Sequence, residues 1–96
     1  MNDEKNKIIS LMADNLGVLR KKIRITQEEL AERIGVSRHT IIALEAKKKD
    51  ISWNVCLALI SVFSEDKESK VLMELLGIIG EEYLSIVQLG TNGSEE

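Results

Sequence analysis

The chain offers few residues able to do covalent or metal chemistry, and their placement argues against it. One histidine, His39, and one cysteine, Cys56, cannot assemble a zinc site of the usual four-ligand kind. Cys56 lies in an apolar run and reads as a core residue, and no metal ligand set or cofactor is expected. The serines precede helical segments, where hydroxyls serve as caps, and none has a histidine at triad-like spacing. Glu28, Glu29 and Glu32 read as cap and solvent contacts, and no glycine-rich phosphate loop is present. No enzyme is expected. The remaining chemistry is cationic. Residues 20–49 hold nine Lys/Arg against four Asp/Glu, whereas residues 65–96 hold two basic and eight acidic residues. The net charge of −3 therefore hides a polarised molecule. Local potential, screened over about 8–10 Å, governs attraction of phosphates more than the total does.

The elements around this basic region follow from periodicity. Gln27 to Ile34 is an amphipathic helix with Leu30, Ala31 and Ile34 on one side. Gly35-Val36-Ser37 breaks it, and a second short helix follows with Ile41 and Leu44 inward. Two helices crossing at roughly 90–120° need a small residue at the crossing and glycine in the turn; Ala31 and Gly35 supply them. The stretch 26–45 is thus a helix-turn-helix, whose second helix is the part suited to a major groove. Thr26 with Glu29 forms a capping box, and Ser37 caps the next helix.

Elsewhere, Ile8, Met12, Leu16, Leu19 and Ile23 mark a first helix, capped by Asn2 or Asp3 and ending near Lys22, with Gly17 weakening it. Ser52 caps a fourth helix from Trp53 to about Phe63, apolar nearly all round and therefore the most buried. Trp53 reads as a packing anchor. After Ser64, acidic residues open a further helical segment that Gly77 and Gly80 bend or split, and GTNGSEE reads as a frayed tail. The expectation is an all-α chain, a five-helix domain with a C-terminal helical extension, the domain placed over 1–64 and the extension over 65–96. Absence of proline and 3% aromatic residues agree with helices. The longest uncharged stretch, residues 51–64, is too short for a bilayer, the N-terminus lacks a signal-peptide layout, and a single cysteine suits a reducing compartment. A cytoplasmic location is expected.

Taken together, LRKK at 19–22, TQEELA at 26–31, IGVSRHTI at 34–41, ALE at 43–45 and ISWNVCLALISVF at 51–63 resemble the XRE family, the helix-turn-helix regulators related to phage Cro and repressor proteins. The resemblance implies a lambda-repressor-like domain that binds double-stranded DNA and regulates transcription. It implies that Gln27, with Thr26 and Ser37 at neighbouring helix starts, holds phosphate. It implies that Arg38, His39 and Thr40 face base edges, with Ile42 and Ala43 near the groove. Arg38 suits guanine O6 and N7, and Ile42 suits a thymine methyl. The chain departs from the family pattern at Arg24 and Lys47, where glycine is common. Lys47, Lys48 and Lys49 then suggest a loop with added backbone-phosphate contacts.

In the C-terminal segment, Leu72, Leu75, Ile79, Tyr83 and Ile86 step close to a heptad. They are expected to pair two subunits into a homodimeric repressor, with recognition helices about one DNA turn (~34 Å) apart on a palindrome. Folding of this segment onto its own domain is the alternative. A second function stays open: an antitoxin or adaptor whose acidic end binds a protein partner.

Overall fold

The computed structural model describes residues 2–95, with side chains described over residues 3–88. Six α-helices and no strand are present among the described residues: α1 (Asn2–Lys22), α2 (Gln27–Ile34), α3 (Arg38–Glu45), α4 (Trp53–Phe63), α5 (Lys67–Leu76) and α6 (Glu81–Glu95). Four of the six lie within residues 1–64, and two, α5 and α6, lie beyond. Gly77, at φ +86°, ends α5 in the left-handed conformation, which has no Cβ penalty at glycine, and α6 begins after Gly80. No described helix is long and apolar enough to cross a membrane.

Local sequence explains the helix starts. Thr26 Oγ1 accepts from Glu29 N at 3.0 Å while Glu29 Oε1 accepts from Thr26 N at 2.7 Å, completing the capping box. Ser37, Ser52 and Asp66 cap α3, α4 and α5 one-way, their side chains accepting from Thr40 N, Val55 N and Ser69 N. The exception is α1, which begins at Asn2, so Asp3 lies within its first turn instead of capping it. α6 runs to Glu95, through most of the stretch read as a tail; the described side chains stop at residue 88, and Glu96 lies outside the described residues.

One core serves the chain. α1 touches α3, α4, α5 and α6, and α2 crosses onto α3 and α4. Ile8, Met12, Leu16 and Leu19 of α1 are buried with Leu30, Ala31, Ile41 and Leu44 of the helix pair. α4 contributes Cys56, Leu59, Ile60, Val62 and Phe63, as its all-round apolar sequence demands. Trp53 is half-buried, with the Lys5 ammonium 5.4 Å from its ring centroid. Met73 of α5 and Ile78 after it are fully buried in this same cluster. The boundary placed after residue 64 falls between α4 and α5, yet residues beyond it complete the core.

Candidate nucleic-acid interface

α2 and α3 owe their mutual placement to two kinds of contact. Leu30 and Ala31 pack against Ile41 and Leu44 inside. At the open end, Glu45 closes α3 onto both preceding helices. Arg20 Nε donates to Glu45 Oε2 at 2.6 Å and Arg20 Nη2 to Oε1 at 3.3 Å, while Gln27 Nε2 donates to Oε1 at 3.1 Å. Arg20 Nη1 donates to the Ile25 carbonyl at 2.9 Å and so also fixes the turn between α1 and α2. The Arg20 and Glu45 side chains are only 12% and 14% exposed. A largely desolvated ion pair with every strong donor directed is a rigid joint, not a surface ornament. Sequence reasoning missed it. The available signal was an acid at the C-terminal end of a helix, where the macrodipole disfavours it, inside a basic stretch.

The turn itself is cut as the sequence predicts. Gly35, at φ +78°, ends α2 and donates to the Ala31 carbonyl. Arg24 (φ 63°) and Lys47 (φ 60°) adopt the left-handed conformation without being glycine. They are the two positions where the chain departs from the family pattern. Each turn takes a left-handed backbone conformation with a side chain in place, at a cost on the order of 1–2 kcal/mol per residue.

The face of α3 turned from the core presents Arg38 and His39, with Ile42 about one turn on, all exposed. Ile42 is 37% exposed, unusual for an isoleucine on so short a helix but not in itself diagnostic. Thr40 is half-buried, its hydroxyl 3.0 Å from Ser37 Oγ, and that oxygen also accepts from Thr40 N. Ala43 is half-buried beside them. The structure thus separates the five residues expected at base edges into three open ones and two on the border.

Beside this face, Arg20, Thr26, Gln27, Glu28 and Arg38 line a shallow polar depression at the start of α2. The first amides of a helix lack intrahelical partners, and Thr26 caps only that of Glu29. The amides of Gln27 and Glu28 therefore remain without an intrahelical partner. The Arg20 guanidinium is committed to Glu45 and Ile25, whereas Arg38, which lines the same depression, has no ion pair among the described residues. Of the lysine loop, Lys48 and Lys49 are exposed, whereas the Lys47 ammonium is paired with Asp14 of α1. That partner was not foreseen.

The residues expected to join subunits divide differently. Leu72, Ile79, Tyr83 and Ile86 are partly buried against the chain's own core. Leu75 alone stands free, at 80% exposure. The buried face of α5 runs instead through Ser69, Leu72, Met73 and Leu76. Burial pushes the Cys56 thiol up to about 12, and burial also raises Tyr83, with a smaller effect of Cys56; neither sits near the α3 face.

The profile of a helix-turn-helix family matches residues 16–66, more than half of the chain. Three uncharacterised HTH-type transcriptional regulators from archaea are similar to it. The protein of Methanocaldococcus jannaschii is 36% identical over 63 residues, covering 66% of this chain and 96% of its own length. That of Archaeoglobus fulgidus is 40% identical over 53 residues, 55% of this chain and 75% of its own. That of Methanothermobacter thermautotrophicus is 73% identical over 26 residues, 27% of this chain; the match spans only 38% of that relative's length. No solved structure gives a significant match.

Proposed function

Because this chain belongs to the helix-turn-helix family of DNA-binding transcriptional regulators, which are not enzymes, we propose that it acts as a homodimeric repressor on a palindromic operator. The carrying observation is the exposed face of Arg38, His39 and Ile42 on α3, held by the Arg20–Glu45–Gln27 joint. A helix about 10–12 Å across fits the ~12 Å major groove. Arg38 then donates two hydrogen bonds to guanine O6 and N7, worth about 1–3 kcal/mol of discrimination. His39 reads an adjacent base edge and Ile42 meets a thymine methyl. Thr40 and Ala43 border the same contact.

Backbone contacts set the register. The free amides at the start of α2, the Gln27 side chain and the hydroxyls of Thr26 and Ser37 face one phosphate run, and Lys47, Lys48 and Lys49 face another. Repression follows from occupancy: a bound operator excludes polymerase. Selection of bound duplexes from a random pool at about 150 mM salt tests the reading, because low salt reports phosphate attraction alone. An inverted repeat with half-sites about one turn apart is expected. A pool without sequence preference contradicts the reading. A second reading, an adaptor or antitoxin that grips a protein partner, draws support from Leu84 and Val87, both exposed on the acidic α6.

A further inference from the structure

The depression beside the exposed face of α3 holds an acid where the proposed contact calls for cations. Glu28 lines it together with Arg20, Thr26, Gln27 and Arg38. Two of these polar side chains are already engaged: the Arg20 guanidinium with Glu45 and Ile25, and Gln27 Nε2 with Glu45. Two are not. Glu28 and Arg38 are both exposed, and neither forms an ion pair among the described residues. The start of α2 does not account for Glu28, because Glu29 already supplies the carboxylate of the capping box. An unengaged acid thus shares one depression with the unengaged cation expected to read a base.

Resting on the DNA-binding reading above, we propose that Glu28 is a positioning residue for Arg38. Its carboxylate accepts from the Arg38 guanidinium while that group is on guanine, and it keeps the guanidinium off the phosphates. A guanidinium carries five N–H donors in a fixed fork, and guanine O6 and N7 take two of them. Donors remain for a carboxylate across the depression. Seating α3 in the major groove drives water from this space, and attraction between unlike charges strengthens as the dielectric falls. The pair is open in the free chain and closes on DNA.

The consequence is specificity. Every duplex offers phosphates, whereas guanine stands at a given position in only some of them. An arginine at the first position of α3, beside the start of α2, can satisfy its charge on either. A carboxylate about 6 Å from a phosphate in water lowers affinity roughly threefold by repulsion, unless a cation answers it. On the operator Arg38 answers it. Elsewhere Arg38 either leaves for a phosphate and strands Glu28 beside one, or stays with Glu28 and finds no acceptor on the base. Glu28 therefore weakens binding to DNA in general and sharpens the preference for one base, a repulsive element of specificity.

Titrations at about 150 mM salt test this, with a selected operator, its variants at single bases and a duplex lacking the operator. Wild type, Glu28→Gln, Arg38→Ala and the double variant are compared as full chains. Glu28→Gln should cut the preference at the base read by Arg38 about fivefold, the strength of an exposed charge pair. It should also tighten binding to the operator-free duplex about threefold. On the Arg38→Ala background the same replacement should tighten binding to every duplex and leave base preference unchanged. Glu28 is exposed and outside the capping box, so the fold is kept. A Glu28→Gln chain that keeps the wild-type preference, or loses it at a base that Arg38 does not read, overturns the positioning role and leaves the DNA-binding reading standing. A wild-type chain without sequence preference overturns both.

Discussion

Glu45→Ala should destabilise the fold by about 2–3 kcal/mol and loosen α3, the proposed DNA-reading helix, at the same time. Removing one partner of a buried ion pair costs about 3–5 kcal/mol, because the other charge stays behind undischarged. Here Glu45 accepts three hydrogen bonds, from Arg20 Nε (2.6 Å), Arg20 Nη2 (3.3 Å) and Gln27 Nε2 (3.1 Å). Arg20 would keep only Ile25, and its 12% exposure admits some water. Both facts place the loss at or just below the low end of that range. For a domain of this size, about 4–8 °C per kcal/mol gives a fall in Tm of roughly 10–20 °C. Urea unfolding followed by circular dichroism reads the stability, and Arg20→Met, alone and combined with Glu45→Ala, completes the cycle. Replacing both charges by apolar groups should recover most of the loss, since neither is then stranded. A Glu45→Ala loss below about 1 kcal/mol, or a double variant whose loss equals the sum of the single ones, would refute the joint as described.

Arg24→Gly relieves a left-handed residue (φ 63°); about 1–2 kcal/mol of strain against about 0.4–1 kcal/mol of added unfolded-state entropy leaves a small net gain, measurable as a higher urea midpoint, with Arg24→Ala giving none. Ser69→Ala removes a buried hydroxyl that has no hydrogen-bond partner among the described residues and should stabilise by about 1 kcal/mol, read in the same titration. Asp14→Asn frees Lys47 from its pair and should tighten binding to all duplexes alike, shown by a steeper salt dependence with unchanged sequence preference. Cys56, with its pKa raised from 9.0 to about 12 by burial, favours the fold as a neutral thiol. That contribution is complete below pH 9 and is lost as pH rises from 9 to about 12, because the unfolded chain releases the proton first. A thiol reagent at pH 8 should accordingly react with it only in denaturant, and rapid reaction of the native protein would contradict its burial.

Local rules carried the helix-turn-helix. Caps at Thr26, Ser37 and Ser52, the crossing at Ala31 and the turn at Gly35 each depend on residues within a few positions of one another, and all stand as expected. Long-range choices were not legible. The apolar stripe after Ser64 offered two faces, and the burial of Ser69 and Met73 rather than Leu75 depends on where α1 lies. A serine in a buried stripe hides that face from hydrophobic periodicity. The Arg20–Glu45 pair spans 25 positions and the Asp14–Lys47 pair 33, so neither leaves a local pattern. At Arg24 and Lys47 the missing glycines suggested altered loops, yet the backbone keeps the left-handed turn, since packing on both sides fixes the chain path.

The central claim is that the α3 face centred on Arg38 reads bases while the lysine loop only holds the backbone. Binding titrations of wild type, Arg38→Ala and Lys48→Ala against a selected operator and its single-base variants, at several salt concentrations, test it most directly. Arg38→Ala should lose about 1–3 kcal/mol on the operator and become indifferent at one base position. Lys48→Ala should weaken every duplex equally and lower the salt slope by about one. An Arg38→Ala protein that keeps the wild-type order of preference among all the variants would contradict the account.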